Sequence, residues 1–303
     1  METLSTATPA AIAAQATPAM RFERSRGHWA NVAARIVRNP SAMIAACVVA
    51  ALVIMALAAP WLMPADPFGA SMLKRLKPMG TPGFPLGTDE LGRDMLSRLI
   101  LGARLSLFMG ITPVLLAFGI GGGIGVLAGY AGGFVNTAIM RTIDVLYAFP
   151  SVLLAIALSG ALGAGIVNAL TSLTIVFIPQ IARIAESVTT QVRRSDYVDA
   201  ARASGAGPFT IVRAHVLGNV LGPIFVYSTS LISVSMILAS GLSFLGLGVK
   251  PPEPEWGLML NTLRTAIYSQ PWVAALPGLF IFITSISFNM LSDGLRSAME
   301  VKQ

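Results

Sequence analysis

The sequence predicts an all-α, polytopic membrane protein with six transmembrane helices. Of its 303 residues, 54% are hydrophobic and only 12% are charged, whereas about 25% charged residues is usual in a soluble domain. Five stretches lack Asp, Glu, Lys and Arg altogether, and each exceeds the roughly 20 residues that a bilayer span needs. They cover 39–65, 105–140, 145–182, 214–249 and 265–292. Lipid offers no partner to free backbone groups, so each span should be a helix.

The predicted spans follow these stretches. They lie at 41–63, 105–128, 138–159, 166–185, 222–246 and 272–292. The stretch 145–182 must contain parts of two spans, and its small residues at 159–165 are expected to form the tight turn between them. A signal peptide is the alternative for the first span. An uncleaved span is favoured, because both the polar lead and the apolar run are longer than those of a typical signal peptide.

Basic residues orient the chain. With the N-terminus in the cytoplasm, thirteen Lys and Arg residues lie inside and eight lie outside, so we expect both termini to be cytoplasmic. The resulting organisation is a cytoplasmic N-terminal segment 1–40, a first transmembrane helix 41–63, a periplasmic segment 64–104 and a core domain 105–303 with five further spans. The Ala/Thr/Pro-rich start of 1–40 is expected to lack a defined structure.

The inside loop 186–221 has the pattern of two short helices. Ser195 is a candidate N-cap, and Asp196 follows it in the first turn, where the helix dipole favours an anion. Gly205 suits the left-handed position after a helix, and Pro208 suits the first turn of the next one. On this pattern alone an ordinary interfacial loop is favoured, and a cytoplasmic docking element is the alternative.

No catalytic or cofactor motif is visible. A phosphate-binding loop, a zinc-protease motif and a nucleophile elbow are all missing. Cys47 is the one cysteine, and His28 and His215 lie on separate polar segments. We therefore expect no enzyme activity, no cofactor and no metal site. The net charge of +7 is explained by basic cytoplasmic loops, so no nucleic-acid partner is expected.

Within the spans, small and polar residues form three patterns. Glycines 121, 125, 129 and 133 recur every four residues, which favours close helix packing over a role in substrate passage. Arg141 and Asp144 are spaced to meet on one helical face, as a structural pair or as a gate-lining pair.

The fifth span carries the third pattern. Thr229, Ser233 and Ser240 share one face there. They could line a polar path, or their hydroxyls could bond back to the preceding turn.

Three stretches together carry a family resemblance. They are FPLGTDELGRDMLSR at 84–98, YVDAARASGAGPFTIVRAHVLGNVLGP at 197–223 and GLSFLGLGVKPPEPEWG at 241–257. The chain resembles the second, C-type permease subunit of bacterial ATP-binding cassette (ABC) importers for dipeptides, oligopeptides and nickel. The resemblance implies the permease fold of type I ABC importers.

The resemblance also implies how the protein works. The family's coupling loop, which docks on the ATPase, is matched by Asp199, Ala200, Ala201, Gly205, His215 and Leu217, while Gly218 replaces the family's Pro. The expected partners are a sister permease subunit forming a heterodimer, two ATPase subunits, an extracytoplasmic substrate-binding protein and the lipid of the bacterial inner membrane.

Peptides are the preferred substrate, and nickel or another small solute is the alternative. An intramembrane enzyme is a further class, but no nucleophile–base or metal pair is visible in the spans. An ATP-independent channel or secondary transporter is the more remote alternative. Uptake that depends on ATP would exclude it.

Overall fold

The computed structural model describes residues 28–299, and this part of the chain is almost entirely helical. It contains two isolated β-bridges in a loop and no strand within the described range. Five helices are long and apolar enough to cross a membrane, and a bent pair of helices could supply a sixth span. The predicted fold class is therefore confirmed.

Eleven helices are numbered here in chain order over residues 28–299. They are α1 (His28–Val37), α2 (Pro40–Leu57), α3 (Ala59–Leu62), α4 (Met95–Ala131), α5 (Gly133–Tyr147), α6 (Ser151–Leu162), α7 (Ile166–Arg193), α8 (Asp196–Ala203), α9 (Pro208–Phe244), α10 (Trp256–Thr262) and α11 (Pro271–Met299). The predicted spans correspond to α2, α4, the pair α5 and α6, α7, α9 and α11. The unstructured start predicted for 1–40 falls on residues 1–27, which lie outside the described residues.

Helix α4 begins at Met95, earlier than the predicted start at 105. Asp94 caps it, because its Oδ2 atom accepts hydrogen bonds from the Ser97 backbone N–H at 2.8 Å and from the Ser97 hydroxyl at 2.6 Å. The first turns contain Arg98 and Arg104. A prediction based on charge-free stretches therefore placed the start too late.

The third predicted span, 138–159, is not a single straight helix. It is divided into α5 and α6, whose axes differ by 85°. Pro150 lies at the break and N-terminal to α6, where a proline disfavours helical geometry at the residue before it. The tight turn predicted for 159–165 is present, with positive φ values at Gly163 and Gly165.

The second short helix predicted in the loop 186–221 is instead the start of α9. Helix α9 runs without interruption from Pro208 to Phe244 and contains a π-helical turn at Val212–Val216. Gly218 keeps the backbone N–H that the family's proline would lack, which permits continuous helical bonding here. The helix therefore continues across the predicted boundary at 221–222 between loop and span.

Helices α4 and α7 form the most extensive helix pair in the described chain. Gly121, Gly125 and Gly129 lie directly against the α7 backbone: a Cβ atom at Gly121 would be 2.7 Å from the Ile178 carbonyl oxygen. This confirms the close-packing interpretation for three of the four glycines. Gly133 lies beyond the end of α4, where it begins α5 with a positive φ.

Other long helices pack on this pair and on one another. Helix α9 packs on α4, α7 and α11, and α2 packs on α11. A Cβ atom at Gly294 of α11 would contact the Ala42 side chain of α2. The first span is thus part of the helix bundle.

Candidate functional site

Helix α8 ends in a tight, well-bonded turn. The Gly205 N–H donates to the Arg202 carbonyl at 3.0 Å, and the Ala206 N–H donates to the Ala201 carbonyl at 3.1 Å. Gly205 has a φ of 84°, so these bonds form the Schellman motif in which glycine is preferred. The sequence prediction for Gly205 is confirmed. Ser195 is the N-cap residue as predicted, but its side chain makes no capping hydrogen bond.

Buried side chains attach α8 to the beginning of α9. Val198, Ile211 and Val216 are almost fully buried. Asn219 adds a polar link, because its Nδ2 atom donates to the Tyr197 hydroxyl at 3.1 Å and to the His215 carbonyl at 2.7 Å. The end of α8 and the first turns of α9 therefore form one packed elbow.

The outer surface of this elbow is exposed. Asp199, Ala200 and Gly205 are exposed, whereas Ala201, His215 and Leu217 are partly buried. Asp199 accepts a hydrogen bond from Arg202 Nη1 at 2.8 Å, and Phe209 is 78% exposed. The six residues predicted for coupling are thus divided between a surface that a partner could contact and the packing that holds that surface in place.

A buried charge cluster organises the segment between α3 and α4. Asp89 Oδ2 lies 2.6 Å from Arg93 Nε and 3.2 Å from Arg98 Nε. Arg98 also donates to the Pro67 carbonyl at 3.0 Å. Burial, with a smaller contribution from Asp89, raises the pKa of Glu90 above its ordinary value. The cluster holds the predicted periplasmic segment against the start of α4.

Glu255 and Trp256 attach the loop before α10 to α4. The Glu255 carboxylate accepts hydrogen bonds from the Gly257 and Leu258 N–H groups at 2.9 Å each. Trp256 Nε1 donates to the Leu99 carbonyl at 3.0 Å. The loop before α10 is therefore attached to the first turns of α4.

The three hydroxyl residues proposed to line a path have mixed surroundings. Thr229 donates to the Val226 carbonyl at 2.7 Å, and its Oγ1 atom lies 3.1 Å from Ser292 Oγ. Ser233 donates to the Ser230 carbonyl at 2.8 Å. These bonds agree with the local-bonding alternative. Ser233 and Ser240 line a groove of about 750 Å³ between α9 and α11, which is otherwise walled mainly by apolar side chains. Thr229 does not line that groove.

Asp144 is paired with a residue of another helix. Its Oδ1 atom lies 2.5 Å from Arg183 Nη2 of α7, not beside Arg141 as predicted. The spacing within α5 allowed the Arg141 pair, but α5 packs on α7 and brings Arg183 to the carboxylate instead. Arg183 also lies 5.2 Å from the centre of the Tyr147 ring.

Sequence reasoning missed Arg183 and the Asp89 cluster as elements of the site. Arg183 was counted only as an inside charge, although its place among apolar residues of α7 was a usable signal. The charged members of the Asp89 cluster all lie within the quoted stretch 84–98, so their closeness in sequence was a usable signal. The Pro67 carbonyl that completes the cluster comes from a distant position, for which the sequence offers no spacing rule. In the described range 28–299, no group of three or more His, Cys, Asp or Glu side chains could hold a metal ion.

Two family models match the chain. Residues 121–302 match the model described as "Binding-protein-dependent transport system inner membrane component". Residues 27–78 match the model described as "N-terminal TM domain of oligopeptide transport permease C". The two matches leave 79–120 between them.

Named relatives are similar over almost the whole chain. A glutathione transport system permease protein, GsiD, of Pectobacterium atrosepticum is 40% identical over 285 residues, which is 94% of this chain and 95% of the relative. A di/tripeptide transport system permease protein, DppC, of Pseudomonas aeruginosa is 41% identical and covers 83% of this chain and 84% of its own length. A solved structure of the inward-facing MetNI methionine ABC transporter contains a chain that superimposes on this one with a TM-score of 0.55 and 20% sequence identity. The match covers 67% of this chain and 97% of the MetNI chain. This last likeness concerns the fold.

Proposed function

Because the chain belongs to the family of binding-protein-dependent transport system inner membrane components, we propose that it conducts short peptides, including glutathione, into the cell. Membership makes it a multi-pass permease subunit of an ABC importer, which works with an ATPase and a substrate-binding protein. The substrate proposal is supported by relatives at 40% and 41% identity whose names specify glutathione and di/tripeptides. ATP-driven uptake of labelled alanyl-alanine, glutathione and nickel into vesicles containing the full transporter tests it. Nickel uptake without peptide uptake would contradict the proposal.

The elbow formed by α8, Gly205 and the start of α9 is the proposed coupling element. The observation that carries this assignment is the Schellman turn at Gly205, which connects an exposed α8 surface to a continuous spanning helix. An ATPase subunit that pushes on α8 would therefore move α9 with it. A related sister permease would complete a heterodimer, and two ATPase subunits would bind its two coupling elements.

Both termini are proposed to be cytoplasmic, which places the elbow on the ATPase side. The support is the excess of Lys and Arg on the proposed inner side of the spans. A periplasm-dependent reporter fused after Gln303 should be inactive, and one inserted near Met79 should be active. The reverse pattern would invert the topology.

Gly205→Asp tests the coupling element. A Cβ atom at Gly205 would meet no atom within 4 Å, so the change is sterically allowed and its cost comes from the positive φ. That cost is about 1–2 kcal/mol, which the bundle should tolerate, while the added charge alters the docking surface. We expect normal insertion and pairing with the sister permease, but loss of ATPase binding or ATP hydrolysis without uptake.

Two control variants separate charge from conformation. Gly205→Asn has nearly the same shape as Gly205→Asp without its charge, and Asn tolerates positive φ, so it should retain more ATPase binding. Asp199→Ala should have a milder effect, because an exposed ion pair contributes only about 0–1 kcal/mol. Pull-down of the ATPase and uptake into vesicles are the measurements. Normal binding and normal uptake in Gly205→Asp would refute the assignment.

A further inference from the structure

Helix α7 carries a polar stripe on the side that faces away from α4. The stripe consists of Gln180, Arg183, Ser187 and Gln191, all of them exposed except the partly buried Gln180. Spacings of three and four residues place them on one face of the helix. At 1.5 Å per residue the stripe extends for about 16 Å toward the cytoplasmic end of α7.

The opposite face of α7 is committed to packing. Ala182 and Ala185 are fully buried against the glycine face of α4. The polar stripe therefore cannot turn toward α4 without breaking the most extensive helix contact in the described chain. It must face lipid, water or another subunit.

Lipid is the least favourable of these three surroundings. Arg183 and Asp144 form an ion pair whose side chains are 48% and 33% exposed, and Arg183 lies about 15 Å inward from Arg193 along the helix. Charged groups at such a depth are costly unless they face a bundle interior or a water-filled cavity. The stripe is thus expected to border protein or water.

The chain surface beside the ion pair is concave and polar. A pocket of about 320 Å³ lies where α5 bends into α6, and Tyr147, Ser151 and Gln180 are among its lining residues. Tyr147 connects this pocket to the ion pair, because its ring lines the pocket and its ring centre lies 5.2 Å from Arg183 Cζ. A flat protein interface would not need such a cavity, whereas a solute path does.

We infer that the polar stripe of α7, together with Asp144, lines the cytoplasmic half of the translocation path and binds the charged ends of a passing peptide. Arg183 would bind the peptide carboxylate, which carries the same charge as its present partner Asp144. Asp144 would bind the peptide ammonium group, which carries the same charge as its present partner Arg183. The substrate part of this inference depends on the proposed peptide transport, whereas the path part does not.

The path part is tested by thiol accessibility in the complete transporter. In a Cys47→Ser background, Gln180→Cys and Ser187→Cys should react with a membrane-impermeant, charged thiol reagent applied from the cytoplasmic side. Leu115→Cys, an exposed apolar position on α4, should not react. If Gln180→Cys and Ser187→Cys stay unreactive in both nucleotide-free and ATP-bound transporter, the stripe is a protein interface and the inference is wrong.

The substrate part is tested by uptake of alanyl-alanine and glutathione. Arg183→Gln should raise the KM for both by about tenfold or more, because a hydrogen bond to a charged group is worth that factor. Arg183→Lys should recover part of the loss. Arg141→Gln is the matched control, since Arg141 is exposed on α5 but does not pair with Asp144.

The results distinguish failure of this inference from failure of the proposed function. If wild-type transporter takes up neither peptide, the proposed function and the substrate part both fail, and thiol accessibility still decides the path part. If wild type takes up peptide and Arg183→Gln does so with unchanged KM, the binding role is refuted alone. Loss of subunit assembly in Arg183→Gln, seen by pull-down, would assign the pair to structure and overturn the binding role.

Discussion

Gly125 of α4 is the position where the close helix packing can be tested most sharply. A Cβ atom at Gly125 would be 2.6 Å from Ala185 Cβ and 2.9 Å from the Glu186 backbone nitrogen, and it would also collide with the Ala182 carbonyl oxygen. Two of these three atoms belong to the backbone and cannot rotate away. Gly125→Ala should therefore force α4 and α7 apart, at a cost of about 1–3 kcal/mol for overpacking.

Gly123 is a matched control on the same helix. A Cβ atom there would meet nothing within 4 Å, so Gly123→Ala should gain up to about 1 kcal/mol from the better helix propensity of alanine. The two variants should thus differ by about 1–4 kcal/mol. The assay heats the purified transporter in lipid nanodiscs and measures the midpoint temperature at which the folded protein is lost. Equal midpoints for the two variants would refute the packing argument.

Two further predictions concern the predicted outside loops. Trp256→Phe removes the indole hydrogen bond to Leu99 and should cost about 1 kcal/mol of stability. The control Trp272→Phe changes a side chain that is 77% exposed and should be neutral in the same heating assay. Equal effects of the two variants would contradict the anchoring role of Trp256. Burial raises the pKa of Glu255 above its ordinary 4.5, so the folded protein retains this proton to higher pH than the unfolded chain. Stability should then fall as pH rises from 4.5 toward the folded pKa, and Glu255→Gln should remove that part of the pH profile; an unchanged profile would contradict the assignment.

The spans could be predicted because lipid imposes a simple rule on composition. Every predicted span overlaps an observed helix or helix pair. The predicted bounds differ from the observed helices where a charged residue lies inside a helix or where a proline interrupts an apolar stretch. Arg98 is held by Asp89 and by the Pro67 carbonyl inside the first turns of α4, so its charge did not mark a boundary there. Pro150 divides one apolar stretch into two helices, a break that composition alone does not reveal.

In the candidate site, too, contacts between sequence neighbours could be predicted and contacts between distant residues could not. The Gly205 turn was predictable, because a Schellman motif is formed by residues that are neighbours in the chain. The Asp144–Arg183 pair joins residues 39 positions apart, and only the packing of α5 on α7 brings them together. Sequence spacing offered Arg141 as the partner because it could test positions on one helix only.

The position of α7 in the chain connects the proposed path to the proposed coupling element. Only Arg194 and Ser195 separate the end of α7 from α8, and α8 is joined to α9 by the bonded turn at Gly205. A displacement of α8 should therefore be transmitted to α7 and α9 together. Helix α7 cannot slide freely along α4, because the glycine contacts interlock the two backbones. A push on α8 should instead tilt α4 and α7 as one unit, which would move the Asp144–Arg183 pair relative to the opposite wall of the path.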